Sequence, residues 1–71
     1  MWILTQYGRS ILYLMGSVWT KPVSGGRCII KTGECLLGTY ESEGRAKEIV
    51  KEIFAICGDC TAAKAYEMPE D

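Results

Sequence analysis

The sequence contains no histidine, so it lacks the side chain that most often acts as a general acid or base near neutral pH. No serine, threonine or cysteine stands beside an evident base, and Gly25-Gly26 is typical of a loop and not of a phosphate-binding motif. Glu48 and Glu52 lie one helical turn apart on a polar face, where solvation is their simplest role. We therefore expect a protein that is not an enzyme and that has no cofactor.

A long apolar run is also missing. The longest candidate, from Ile11 to Trp19, is interrupted by Gly16 and Ser17 and falls well short of the roughly 20 residues that a membrane-spanning helix needs. No small-residue cleavage site of the kind that ends an export signal follows it. The sequence therefore predicts a cytoplasmic protein with no membrane segment. In the cytoplasm its cysteines would stay reduced.

The four cysteines are Cys28, Cys35, Cys57 and Cys60. Only Cys57 and Cys60 have a spacing typical of zinc ligands. The other two cysteines lie among isoleucines and leucines, where a thiol behaves as a small hydrophobic group. A redox role for Cys57 and Cys60 is disfavoured because the C-terminal end of a helix raises the pKa of a thiol. We expect neither a metal site nor a redox site.

A chain of 71 residues has room for one domain, residues 1–71, around one core. Its hydrophobic content of 48% and charged content of 24% are those of a globular protein and argue against a disordered chain. In so short a chain, apolar burial barely offsets the conformational entropy lost on folding. Additional support, such as a second subunit, is therefore expected.

Short apolar runs separated by glycine and serine predict β-strands. Five strands are placed at Trp2 to Thr5, Ile11 to Leu14, Val18 to Val23, Arg27 to Lys31 and Cys35 to Tyr40, and a short final strand is expected from Ala65 to Met68. The Thr32-Gly33 pair predicts a two-residue hairpin loop. That loop would put Lys31 opposite Glu34 and Ile30 opposite Cys35.

From Ala46 onward the apolar residues recur at spacings of three and four, which predicts one amphipathic helix. Its apolar face would hold Ala46, Ile49, Val50, Ile53, Phe54 and Cys57. Ser42 is the expected N-cap, Glu43 suits the first turn, and Gly58 is placed to end the helix. The expected fold class is α+β, an antiparallel β-meander of about five strands packed by one helix.

Several predicted strands are apolar on both faces, as in Trp2-Ile3-Leu4 and Cys28-Ile29-Ile30. Half-buried antiparallel strands normally alternate, so continuous apolar runs indicate that both faces are covered. One helix can cover only one face. Either the sheet curls into a small barrel, or the second face packs on a partner, most simply a second copy in a homodimer or a higher homo-oligomer.

Charge is distributed unevenly: four bases and no acid precede Glu34, whereas nine acids and four bases follow from there onward. A basic sheet interleaved with aromatic residues, Tyr7 among them, could stack on a base and neutralise phosphate. Four cations are too few for strong nonspecific binding of DNA, so a nucleotide is a better candidate than nucleic acid. The candidate residues for binding a ligand or partner are Arg9, Lys21, Arg27, Trp2, Trp19 and Tyr13. The simpler interpretation is a mildly basic, solvated edge.

Three segments carry a resemblance to a group of proteins: Met1 to Gln6, Leu37 to Glu48, and Tyr66 to Pro69. Through them the chain resembles small uncharacterised proteins of phages and mobile elements in Gram-positive bacteria, over nearly its full length. None of the segments is a catalytic signature, and Gly44 departs from the acidic residue that such proteins tend to have there. The resemblance implies a phage-like genetic context, and hence the cytoplasm of the host cell.

Three functions follow as hypotheses. The first is a non-enzymatic protein that inhibits a host macromolecule, such as a defence protein, by binding it through the uncovered sheet face. The second is a protein that sequesters a nucleotide on a basic, aromatic sheet. The third is a structural component of a phage particle.

Overall fold

The computed structural model describes residues 1–14, 16–57 and 65–71 of the chain. The strands are β1 (Trp2–Leu4), β2 (Ile11–Tyr13), β3 (Val18–Pro22), β4 (Cys28–Thr32), β5 (Cys35–Tyr40) and β6 (Ala65–Glu67), and the helix is α1 (Glu43–Cys57). Short 3-10 turns occupy Gln6–Gly8 and Ser24–Gly26. The α+β class is confirmed, and each predicted strand lies within about one residue of its expected bounds.

The strands form two three-stranded sheets. In the larger sheet β3, β4 and β5 pair antiparallel in chain order, as a meander requires. In the smaller sheet β1 pairs antiparallel with β2 on one side and parallel with β6 on the other. Strands β2 and β3, although consecutive, belong to different sheets, so the described strands form neither one continuous meander nor a single closed barrel.

The β4–β5 hairpin differs from its predicted register. Thr32 lies opposite Cys35 and Lys31 opposite Leu36, so the loop is Gly33–Glu34 and the predicted Lys31–Glu34 pairing is wrong. Gly33 has φ +57°, and a tight hairpin turn favours glycine where φ is positive. A bulge next to Ile30 then shifts the rest of the strand. Cys35, which lies next to the loop, is exposed.

Helix α1 begins as predicted. The Arg45 amide donates to Ser42 Oγ at 3.1 Å, which makes Ser42 the N-cap. Ala46, Ile49 and Ile53 are buried, but Phe54 is 76% exposed and Cys57 is exposed, so the predicted apolar face is too wide. Since successive residues are about 100° apart around a helix, Phe54 points well away from Ile53. Gly58, the predicted end, lies outside the described residues.

One hydrophobic core joins the helix to the inner faces of both sheets. Its buried members are Ile3, Cys28, Ile30, Leu37, Tyr40, Ala46, Ile49, Ile53 and Met68. Leu12, Val18 and Tyr66 pack against this core from the two sheets. Each sheet therefore has one face in the core and one face turned away from it.

Candidate functional site

The outer face of the smaller sheet is apolar and exposed. Trp2 lies opposite Tyr13, and Leu4 lies opposite Ile11, so these four side chains share one face, which we call the aromatic face. Trp2, Ile11 and Tyr13 are 47%, 64% and 52% exposed, whereas Ile3 between Trp2 and Leu4 is fully buried. The Trp2 and Tyr13 rings meet edge to face, with centroids 5.1 Å apart and planes at 76°.

The outer face of the larger sheet carries positive charge. Trp19 and Lys21 alternate with inward residues on β3, and Lys31 pairs with Trp19 across the β3–β4 ladder. The Lys31 ammonium lies 5.4 Å from the centre of the Trp19 ring, a cation–π contact. We call Trp19, Lys21 and Lys31 the basic face.

A groove of about 720 Å³ lies between the two sheets. The loop from Thr5 to Ser10 forms one wall, with Tyr7 and Arg9 on it. The opposite wall is β5 from Leu36 onward, continued by Glu41. Arg27 and the carboxylate residues Glu70 and Asp71 complete the lining.

Gln6 lines the groove, is only 8% exposed, and binds the surrounding backbone through its carboxamide. Its Oε1 accepts from the Thr39 amide at 2.8 Å, and its Nε2 donates to the Thr39 carbonyl at 3.0 Å and to the Glu70 carbonyl at 2.7 Å. A side chain thus satisfies the backbone at the free edge of β5 as a neighbouring strand would. The two sheets and the C-terminal segment are fixed to one another at this point.

Tyr40, in the wall opposite Tyr7, is held in place by a hydrogen bond to the C-terminal segment. Tyr40 donates from its hydroxyl to the Pro69 carbonyl at 2.7 Å. Burial raises the pKa of Tyr40 to about 12, although the nearby Arg45 acts in the other direction. Tyr40 is therefore a neutral hydrogen-bond donor at physiological pH.

The six candidate binding residues are distributed over three places. Trp2 and Tyr13 meet on the aromatic face, Trp19 and Lys21 lie on the basic face, and Arg9 and Arg27 line the groove. The structure does not bring them together into one basic, aromatic sheet, because β1–β2 and β3–β5 belong to separate sheets.

Apart from Arg9 and Arg27, the residues that line the groove are not among the candidates. Gln6 gives no signal in the sequence, since only tertiary structure brings it beside Thr39. Leu36 belongs to an apolar run that predicts a strand, and the bulge in β5 is what leaves it 51% exposed in the groove. Tyr7 is identifiable in the sequence as an aromatic residue, and the Tyr7-Gly8 pair marks the turn that presents it.

Within residues 1–14, 16–57 and 65–71, no group of His, Cys, Asp or Glu side chains is arranged to hold a metal ion. The Cys57–Cys60 pair is not tested, because Cys60 lies outside those ranges. Across the same part of the chain, no helix has the length and apolar character needed to cross a membrane.

No protein-family model, curated protein or solved structure matches this chain. The resemblance to phage proteins therefore stays a prediction, and function is inferred from the three surfaces.

Proposed function

We propose that the protein is a non-enzymatic binding protein that docks a partner protein through the aromatic face. The observation that carries this proposal is the clustering of Trp2, Ile11 and Tyr13, each about half exposed or more, on one side of one small sheet. Single exposed apolar residues are ordinary on protein surfaces, but contiguous apolar patches are typical of interaction sites.

The chemistry of these residues also suits a protein interface. Tryptophan and tyrosine are enriched among the residues that contribute most to binding energy. The edge-to-face contact between the Trp2 and Tyr13 rings restrains both side chains before any partner arrives. Less conformational entropy is then lost on binding, which favours affinity.

The phage-like context implied by the sequence resemblance suggests the kind of partner. In that context the partner is a host protein, such as a component of host defence, and binding inhibits it by occupying its surface. A role as a particle component would use the same face, and co-purification with virions would favour it.

Affinity capture from a host lysate, followed by mass spectrometry, tests the proposal. Ile11→Glu puts a charge on the aromatic face, whereas Phe54→Glu changes an equally apolar, exposed residue of α1 that lies away from this face. We expect the natural protein and Phe54→Glu to recover the same stoichiometric partner and Ile11→Glu to lose it. Circular dichroism checks that both variants fold. Recovery of no stoichiometric protein, or equal loss in both variants, contradicts the proposal.

A further inference from the structure

The groove contains two arginines, Arg9 and Arg27, that make no direct ion pair with the described residues. Arg9 follows the Gln6–Gly8 turn and Arg27 follows the Ser24–Gly26 turn, so separate segments bring them to one cavity. In the part of the chain that the structure describes, neither guanidinium makes a hydrogen bond or lies within 4.0 Å of a carboxylate. Guanidinium groups have the planar geometry that binds phosphate oxygens in pairs.

An aromatic ring is held beside these cations. Tyr7 has φ +64°, a left-handed conformation that is unusual for a bulky residue, and its side chain is 62% exposed at the groove. The loop is closed by backbone bonds, from Gly8 N to Thr5 O at 2.8 Å and from Thr5 N to Ser10 O at 2.9 Å. Ser10 N also donates to Thr5 Oγ1 at 3.0 Å. The ring is thus presented by a fixed loop, as stacking on a planar ligand requires.

The size and remaining polar groups of the groove restrict the ligand further. Its volume of about 720 Å³ falls within the roughly 300–1,000 Å³ range of small-molecule sites. Three acidic residues, Glu41, Glu70 and Asp71, line the same groove. Their carboxylates outnumber the two arginines, so they repel a continuous polyanion and reduce the attraction of the groove for any anion. They can also accept hydrogen bonds from sugar hydroxyls or amino groups. A lone phosphate ion would leave both the ring and the carboxylates unused.

We propose that this groove binds a nucleoside phosphate, with the phosphates on Arg9 and Arg27 and the base against Tyr7. The carboxylates of Glu41 and its neighbours accept from the ribose hydroxyls or the amino groups of the base. This inference goes beyond the proposed function, because it concerns a different surface and requires no partner protein.

Isothermal titration calorimetry on the purified full chain tests the site, with AMP, ADP, GMP and GDP as probes and adenosine and inorganic phosphate as the two partial ligands. We expect at least one nucleotide to bind at a 1:1 ratio, and both partial ligands to bind more weakly by about tenfold or more. Phosphate that binds as tightly as the nucleotides overturns the assignment of the base site. No heat with any nucleotide at millimolar concentration overturns the proposal as a whole.

Matched variants locate the site. Arg27→Gln and Lys21→Gln each remove one positive charge, but Lys21 lies on the basic face and does not line the groove. We expect Arg27→Gln to weaken binding by about tenfold or more and Lys21→Gln to leave it within about twofold. Tyr7→Asn removes the ring while keeping a residue that tolerates the left-handed backbone, and should weaken nucleotide binding but not phosphate binding.

Equal effects of Arg27→Gln and Lys21→Gln would mean that binding reflects general positive charge, which overturns the groove as the site. Ile11→Glu, which disrupts the aromatic face, should bind nucleotide normally. Failure of nucleotide binding and failure of partner capture are therefore separate results.

Discussion

At the scale of single residues, the core depends on a close contact between Tyr40 and Gly38. Both lie on the inner side of β5, two residues apart, and the Tyr40 ring occupies the space beside the Gly38 backbone. A Cβ added at Gly38 would come within 2.7 Å of Tyr40 Oη and 2.8 Å of its Cε2. Tyr40 is 2% exposed and its hydroxyl is bonded to Pro69, so the ring has little freedom to move.

Gly38→Ala should therefore destabilise the fold. Forcing an extra methyl group into a packed core costs about 1 to 3 kcal/mol of the free energy of unfolding, which urea denaturation measures. Gly16→Ala is the control, because a Cβ there meets nothing within 4 Å. Equal stability of the two variants would contradict the packing described for Tyr40.

Tyr40 should also make the fold less stable as the pH becomes alkaline. Its pKa is raised by burial to about 12 in the folded state, whereas an unfolded chain titrates tyrosine at about 10. The stabilising contribution is fully present below about pH 10 and is lost as the pH rises towards 12, because the unfolded state releases its proton first.

Tyr40→Phe should remove this part of the pH dependence. Urea denaturation from pH 8 to pH 11 should show the variant to be less stable at pH 8 by about 1 kcal/mol, since the bond to Pro69 is lost, but less sensitive to rising pH. Some alkaline sensitivity should remain, because burial and the 2.6 Å hydrogen bond to Glu52 also raise the pKa of Tyr66. Parallel pH profiles for the two proteins would contradict the prediction.

At the scale of elements, the start of α1 is well capped but contains one weak residue. Ser42 Oγ accepts from the Arg45 amide, and Lys47 Nζ lies 2.8 Å from Glu43 Oε1 across one turn. Gly44 lies between these contacts, and the nearest atom to an added Cβ there is Ser42 Oγ at 3.9 Å. Glycine raises the entropy of the unfolded chain without any packing benefit at this position.

Gly44→Ala should stabilise the protein by about 0.5 to 1 kcal/mol, as seen in urea or thermal denaturation. Gly33→Ala is the matched control with the opposite expected sign, because Gly33 has φ +57° in the hairpin turn and alanine is strained there. A loss of stability in Gly44→Ala would mean that the first turn of α1 is not the regular helix described.

At the scale of the whole molecule, two sheets and one helix share a core, and the aromatic face remains outside it. A second copy of the chain is one partner that could cover this face, and two-fold symmetry is the commonest way to close a self-complementary patch. Each large apolar side chain removed from water would contribute roughly 1.5 to 3 kcal/mol. Such an interface would add the stability that a core of this size has in short supply.

In the absence of a host partner, we expect a second copy to cover the aromatic face, which gives a symmetric homodimer with a mass twice the 7.9 kDa of the chain in light scattering after size exclusion at micromolar concentration. A host protein that docks on this face would replace the second copy. Ile11→Glu should restore the monomer by placing a charge in the interface, and Phe54→Glu should not. A natural protein that stays a soluble monomer of 7.9 kDa would rule out self-association through this face. The docking of a host protein on this face would then rest on the affinity capture experiment alone.

The sequence by itself determined the local elements of this protein. Strands near Ile3 and Ile30, the helix after Ser42 and the turn at Tyr7-Gly8 were predictable, because each depends on the spacing of apolar residues or on the backbone preference of a few neighbours. The cations and aromatic residues were also identifiable as candidates, since their chemistry does not depend on the fold.

The tertiary structure alone decided how those elements combine. The separation of β2 from β3, the parallel pairing of β6 with β1, and the Gln6–Thr39 contact all join residues that no local pattern relates. These choices depend on which arrangement buries the shared core while satisfying the backbone at the edge of β5. The same packing divides the candidate residues between two outer faces and a groove, because each sheet can turn only one face inward.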